Sequence, residues 1–363
     1  MKDLNEIRLE INDIDKEMAS LFEKRMNAVR QIGEYKMAHG LPIFDGAREN
    51  AVIERNSAYI TNEEYKPFYV TFLQNTMGVS RQFQNRLFTG VKVAYSGVEG
   101  AFAHIAAGRI FPESKLVSYK GFEKAYRAVE DGECDLAVLP IENSFEGEVV
   151  QVTDLMYRGS LYVNGVYDLP VVHNLLVVPG ARAKDIKKVI SHPQALGQCA
   201  NYIKEHGFEE VQASNTAVAA KTVADNKDKS VAAIASKETA ELYGLSILEQ
   251  GINDSNTNTT RFAVFSKVMD EDKRGRDDNI ILIFTVNNEA GALANAINII
   301  GKFGFNMKVL RSRPIKDADW EYYFYVELEG NECSDEGRQM LSELKDYCHD
   351  LKIVGHYSGE KKI

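Results

Sequence analysis

The sequence of 363 residues predicts a multidomain chain of α and α/β parts. An all-helical region comes first, a two-lobed α/β region second and a small βαββαβ region last. Three observations carry this. Between residues 3 and 39 apolar side chains recur alternately three and four apart, the period of a helix seam. From Val91 onward, short β-rich runs are each followed by Gly, Ser or Asn and then an Ala-rich helical pattern, which is the order of α/β units. Beyond residues 266–279, where nine of fourteen positions are charged and a solvated linker is expected, the pattern runs strand, helix, strand, strand from Trp320, helix, strand. The expected domains are 1–89, 90–268 and 279–358.

Composition narrows the function classes. A net charge of −10 argues against nucleic acid, whose binders carry a basic footprint. No apolar run approaches a membrane span. Cys134, Cys199, Cys333 and Cys348 are scattered without metal-ligand spacing, and no charged-then-apolar leader follows Met1. The expectation is a cytoplasmic protein with reduced thiols, no metal and no cofactor.

The first helix is expected to start at a capping box of Asp3 and Glu6 and to stop at Gly40 and Pro42. Its seam is Leu4, Ile7, Ile11, Ile14, Met18, Leu21, Arg25, Ala28, Ile32 and Tyr35. Asp45 suits the N-cap of a second helix with Arg48 and Glu49 in its first turn. Thr61 with Glu64 is read as opening a third, which continues to about Phe88. Arg25 stands on the seam, and Arg8 and Lys36 lie one position beside it. A buried cation needs a partner. Either Arg25 fixes register in a coiled-coil dimerisation arm, or the cations hold a small anion. At 1.5 Å per residue, Arg25 and Lys36 are about 16 Å apart on nearly one face, while Arg8 is about 25 Å from Arg25. Two long side chains can converge on one ligand from that distance. Arg8 can join them only from a second chain, so a shared site requires a homodimer or a higher homo-oligomer.

Over roughly residues 4–86 the chain resembles the all-helical chorismate mutases, whose pattern is matched by Arg8, Arg25, Lys36, Asp45, Arg48, Glu49, Ser80 and Gln84. The resemblance implies an intertwined helical dimer that rearranges chorismate to prephenate. Arg25 and the partner's Arg8 would grip the two carboxylates, and Lys36 and Gln84 would donate to the ether oxygen. Glu49, with the backbone around Asp45, would fix the ring hydroxyl, and Arg48 and Ser80 would orient the others.

In the middle region, several predicted helix entrances carry small polar residues: Ser96-Gly97, Pro140-Ile141-Glu142-Asn143-Ser144, Ser191-His192-Pro193-Gln194 and Ser214-Asn215-Thr216. They suit either a cleft that binds a carboxylate through backbone N–H groups or ordinary N-caps. Residues 252–260 read as a polar loop ending in Thr260-Arg261, where an Arg beside hydroxyls could hold an acid against a proton donor. His104, His173 and His192 are expected to have structural partners rather than to act as acids.

Over about residues 91–268 these motifs resemble prephenate dehydratase, together with Val93 to Phe102, Ala195-Leu196, Gln198-Cys199 and Asn258 to Phe262. The implied fold is two-lobed and periplasmic-binding-protein-like. The implied reaction removes the ring carboxylate and 4-hydroxyl of prephenate to give phenylpyruvate. Thr260 would act at the departing hydroxyl as an oriented hydrogen-bond donor. Arg261 would hold a carboxylate or organise the loop, and Glu142, Asn143, Ser191 and Gln198 would shape and polarise the pocket.

The βαββαβ order suits a ferredoxin-like domain. Residues 279–357 resemble the ACT regulatory domain through Gly291-Ala292-Leu293 and Ser312-Arg313-Pro314, with Arg311 where that family has Glu and Ala290 where it usually has Pro. The resemblance implies L-phenylalanine as effector, held by Gly291, Ala292, Leu293, Asn306, Ser312 and Arg313. A domain kept for dimerisation is the alternative. The whole chain is thus expected to take chorismate through prephenate to phenylpyruvate. The competing readings are a non-catalytic amino-acid sensor, for which Lys36, Glu49 and Thr260 would have no use, and a dehydratase acting on arogenate.

Overall fold

The computed structural model describes residues 2–274, 276–315, 321–359 and 361–363. The chain forms two compact units, Met1–Lys92 and Val93–Ile363.

The first unit is all helical. Helix α1 (Leu4–Ala38) starts at the expected capping box of Asp3 and Glu6, which satisfies orphan N–H groups reciprocally. Helix α2 (Gly46–Ser57) is capped by the Asp45 side chain, which accepts from the Arg48 N–H. The expected third start at Thr61 is corrected. Asn62 caps a short 3₁₀ turn, Glu63–Tyr65, and α3 (Lys66–Thr89) begins after it with a proline in its first turn, where the missing N–H has no intrahelical partner to lose. Little of α1 is buried by its own unit: only Val29 and Gly33 are enclosed. Its seam residues Leu4, Ile7, Ile11, Ile14, Met18 and Leu21 remain 41–62% exposed.

The second unit opens with two α/β lobes. In the first lobe the strands lie in the order Lys115–Tyr119, Lys92–Ser96, Leu136–Asn143, Thr259–Ser266, Tyr162–Pro170. The second lobe has the order Ser246–Glu249, Asn174–Val177, Val231–Ala235, Lys188–Ser191, Glu209–Gln212. The chain crosses between the lobes twice, after Pro170 and again before Thr259, and the crossings are stitched together. Val171 N–H donates to the Asn258 carbonyl (2.8 Å) and Ile252 N–H to the His173 carbonyl (2.9 Å). Away from the crossings, Gly100 of the first lobe approaches the second so closely that a Cβ would press on Leu242 and Ala217, and its φ of +85° suits glycine. The Thr239 hydroxyl donates to its carbonyl at 2.9 Å.

The last part has the expected βαββαβ order, with strands Asn279–Thr285, Asn306–Pro314, Tyr322–Glu329 and His349–Tyr357. They lie side by side as second, third, first, fourth, the ferredoxin-like arrangement. The expected strand start at Trp320 lies outside the described residues. Strand alternation assigns the two faces. Ile280, Leu282 and Phe284 pack with the helices Ala292–Lys302 and Asp335–Tyr347 through Ile300, Met340 and Leu344, whereas Ile281 and Ile283 join the core of the first lobe. The sheets are also continuous, because His349–Tyr357 runs parallel to Tyr162–Pro170 with Gly355 opposite Val163.

The charged stretch 266–279, expected as a solvated linker, is instead tied down. Asp277 is 3% exposed and lies 2.6 Å from His356 Nδ1. Arg274 Nε reaches Glu332 Oε1 at 2.9 Å. High charge density reports solvation only when the charges lack fixed partners, and these two have them.

Candidate active sites

In the helical unit, Ser80 and Gln84 are one turn apart on α3 and face α1. Arg25 Nη1 donates to Ser80 Oγ, whose own proton goes back to the Thr76 carbonyl at 2.7 Å. Gln84 Nε2 donates to the Val29 carbonyl at 3.3 Å, and Lys36 Nζ to the Ile43 carbonyl at 2.6 Å. Burial lowers the pKa of Arg25, yet a guanidinium stays charged. Arg25, Gln84 and Lys36 thus hold fixed positions with donors to spare, whereas Ser80 has spent its one proton on the Thr76 carbonyl. Glu49 is held by both oxygens to Arg81, a residue that sequence reasoning missed. Arg81 also lies over the Phe44 ring, 5.6 Å from its centre. Asp45 is spent on its cap, and Arg48 and Arg8 are exposed.

In the two-lobed region the expected helix entrances are corrected in part. His192 and Asn215 are N-caps, accepting from Gln194 N–H and Val218 N–H. Residues 140–143, however, continue the strand Leu136–Asn143, and Thr260 and Arg261 lie in the strand Thr259–Ser266 rather than in a loop. These strands pair Thr260 with Asn143 and Arg261 with Glu142. Successive strand residues point to opposite faces. The expected site set therefore divides, with Asn143 and Thr260 on one face and Glu142 and Arg261 on the other.

The first face carries a hydrogen-bond chain whose polarity can be worked out. Asn143 Oδ1 accepts from the backbone N–H groups of Phe145 (2.9 Å) and Glu146 (3.1 Å), so its nitrogen must be the donor. That nitrogen donates to Asn258 Oδ1 and to Thr260 Oγ1, both at 2.9 Å. Asn258 Nδ2 in turn donates to Gln198 Oε1 at 2.8 Å. His173 Nε2, 2.9 Å from the same oxygen, is then also a donor. Burial pushes the His173 pKa down, partly offset by this bond, which is the behaviour of a neutral ring with its proton on Nε2. With Thr260 Oγ1 accepting from Asn143, the hydroxyl keeps its one O–H proton as a donor to a further partner.

Asn258 and His173 were missed as site residues; Asn258 stood inside a recognised motif, but nothing in the sequence around His173 places it beside Gln198. Ser191 is not brought to this chain. It is fully buried in the second lobe, donating to the Ile234 carbonyl at 2.6 Å. His104 and His192 have the expected structural partners, the N–H groups of Gly100 and Gln194.

On the opposite face Arg261 donates to Glu142 (3.1 Å), to both oxygens of Glu327 (3.1 and 2.8 Å) and to the Tyr357 hydroxyl (3.0 Å). Among the expected effector residues, Leu293 lines a cavity of about 350 Å³ with Thr285, Glu289, Tyr322, Phe324 and His349. Gly291 is the N-cap of the helix that follows, with φ +86°. Asn306 donates to Glu329 (2.8 Å), Ser312 is exposed, and Arg313 lies 3.9 Å from Asp154. These three do not line that cavity.

The helical unit carries fixed cations and the two-lobed α/β unit a hydroxyl held by an amide, and the family matches make the chain an enzyme with two catalytic domains. Residues 7–85 match the chorismate mutase type II family and residues 93–270 the prephenate dehydratase family. A bifunctional chorismate mutase/prephenate dehydratase of Aquifex aeolicus is 31% identical over 98% of this chain and 98% of its own length. The chloroplastic arogenate dehydratase/prephenate dehydratase 1 of Arabidopsis thaliana is 34% identical over 74% of this chain and 72% of its own. The solved prephenate dehydratase of Arthrobacter aurescens, in complex with L-Phe, superposes with a TM-score of 0.68 at 26% identity, covering 74% of this chain and 90% of that one. The chain belongs to the bifunctional chorismate mutase/prephenate dehydratases. It is an isomerase and a carbon–oxygen lyase joined in one polypeptide of phenylalanine biosynthesis.

Proposed function

We propose that the two reactions are divided between the units as the geometry suggests, with Arg25, Lys36, Ser80 and Gln84 serving the mutase and Thr260 with Asn143 the dehydratase. The mutase step is unimolecular, so the site needs only to hold the reactive conformer and stabilise charge at the breaking ether bond. Arg25 and the partner's Arg8 grip the carboxylates, Lys36 and Gln84 donate to the ether oxygen, and Glu49, steadied by Arg81, takes the ring hydroxyl. The backbone around Asp45 assists Glu49, and Arg48 and Ser80 orient the rest. The exposed apolar seam of α1 supports an intertwined dimer in which each site borrows Arg8.

In the dehydratase step the ring C–C bond to the carboxylate breaks and its electron pair enters the ring. The 4-hydroxyl takes up one proton, supplied from solvent, and leaves as water, carbon dioxide departs and the ring becomes aromatic. The leaving hydroxyl needs a donor. The single observation that carries the assignment is that Thr260 Oγ1 accepts from Asn143, which leaves the threonine proton to be donated. Gln198 and Asn258 hold this arrangement from the second lobe and the crossing, and Ser191 shapes the second lobe from within. Arg261 and Glu142 organise the strand pair from behind.

The last domain is read as an ACT module for L-phenylalanine, seated at Leu293 and the Gly291-Ala292 turn. Asn306, Ser312 and Arg313 are assigned to the same regulatory surface. The plant relatives named arogenate dehydratase keep arogenate as a second substrate reading. A chain that carries its own mutase, however, supplies prephenate. The bacterial relatives and the substrates support a cytoplasmic enzyme. The test is to supply chorismate and follow phenylpyruvate at alkaline pH. Lys36→Ala should lose the mutase and still dehydrate added prephenate, and Thr260→Ala should do the reverse. Retention of both activities in either variant refutes the division.

A further inference from the structure

Behind the strand pair that carries Thr260 and Asn143 lies a buried ionic cluster that the two reactions do not account for. Glu327 belongs to the C-terminal domain and is 1% exposed. It takes both terminal nitrogens of Arg261, at 3.1 and 2.8 Å. It also accepts the hydroxyl protons of Tyr325 (2.7 Å) and Tyr357 (2.6 Å), so its carboxylate is fully bonded. Arg261 continues to Glu142 at 3.1 Å, and Arg311 closes on the other Glu142 oxygen. Asp168, on the neighbouring strand, lies 4.0 Å from Arg261 Nε. Two guanidinium groups thus meet three carboxylates across the boundary between the first lobe and the C-terminal domain. Removing one member of such a cluster leaves a buried charge uncompensated.

The cluster grips the catalytic strands at one place. Arg261 and Glu142 are cross-strand partners, and each is followed or preceded in its own strand by a residue of the hydroxyl–amide pair, Thr260 and Asn143. A strand is stiff across two residues, so a shift of Arg261 tilts Thr260 on the opposite face. A donor displaced by a fraction of an ångström loses a large part of its effect on the barrier. We propose that Glu327 of the C-terminal domain is a positioning residue for dehydration, acting through Arg261 and Glu142 on Thr260 and Asn143. The C-terminal domain is on this account part of the dehydratase site's scaffold. Arg311 stands beside Ser312 on the same strand, so that strand connects the regulatory surface to the cluster. The inference rests on the reading that the Thr260 face is the dehydratase site.

The test uses the full chain and the variants Glu327→Gln, Arg261→Gln, their combination, Tyr357→Phe and Thr260→Ala. Mutase turnover reports the helical unit, and thermal melting reports the fold of the rest. Glu327→Gln should lower the dehydratase kcat about tenfold while the KM for prephenate changes less than about twofold, the signature of a misplaced donor rather than a lost binding contact. Combined with Arg261→Gln it should cost nothing beyond Arg261→Gln alone, because both act through one path. If Glu327→Gln does not fold, Tyr357→Phe, which removes one bond to the same carboxylate, should lower kcat about threefold in the same direction. A folded Glu327→Gln, or failing that Tyr357→Phe, with wild-type kcat overturns the assignment while a dead Thr260→Ala leaves the site reading standing. A Thr260→Ala enzyme that still dehydrates prephenate overturns the site reading and this inference with it.

Discussion

Mixing two dead mutase variants should restore activity. Along α1, Arg8 and Arg25 are seventeen residues apart, about 25 Å at 1.5 Å per residue, so no single chain brings both to one small dicarboxylate. The same helix leaves the six seam residues from Leu4 to Leu21 41–62% exposed. Burying what remains of each contributes about 1 kcal/mol, hence roughly 6 kcal/mol per chain and roughly 12 kcal/mol in a symmetric pair. That is of the size needed to meet the cost of association. In an isologous dimer each site takes Arg8 from one chain and everything else from the other. Arg8→Ala and Arg25→Ala should then each be inactive alone. A heterodimer of the two has one site that lacks both cations and one that lacks neither. Equal mixing gives about half heterodimers, each with half its sites intact, so about one quarter of wild-type turnover should return. The assay is chorismate consumption after co-refolding or co-expression, with the heterodimer quantified by differential tags. Confirmed heterodimers with no recovery, or a fully active monomer, refute the shared site.

Three further outcomes follow from the geometry. Burial holds the His173 pKa below its ordinary value near 6.5 and lowers that of His104 in the same direction, so between the unfolded and folded values the unfolded chain binds more protons. Stability of the second unit should therefore fall as pH drops from about 6.5 through the folded values, and His173→Gln should flatten that slope in thermal melts; an unchanged slope removes His173 as its source. Gly355→Ala would drive a Cβ into the Val163 backbone and should destabilise the second unit by about 1–3 kcal/mol, read by denaturant midpoint, whereas a neutral effect would show that the parallel junction at that position is not closely packed. L-Phenylalanine should bind with measurable heat by calorimetry, and the heat should be lost on Leu293→Ala or Ser312→Ala. No heat at millimolar ligand would favour a domain kept for dimerisation.

Legibility in the sequence followed the range of the interactions. Capping at Asp3 and Asp45 depends on residues within three positions, and both caps stand where the pattern put them. The seam of α1 was legible because a helix period is local, even though what covers it is not. The charged stretch misled because Asp277 finds His356, seventy-nine positions away, and no composition rule sees a partner at that distance. Arg81 escaped notice for the same reason, since its link to Glu49 spans thirty-two positions. The instructive failure is the pair of motifs around residues 140–144 and 258–262. Pro140 and the Asn- and Thr-rich run before Arg261 carry turn chemistry, which favoured loops at helix entrances. Loops impose no alternation, so Glu142 with Asn143, and Thr260 with Arg261, passed as members of one pocket. Once both segments are strands, a period of two separates each pair. The amide and the hydroxyl keep one face, and on the other the two charged residues turn toward Glu327 and Arg311. The charge reversal at Arg311, in sequence a departure from the resembling family's Glu, then acquires a physical role: a glutamate there would face Glu142 with like charge, whereas arginine completes the cluster on that face.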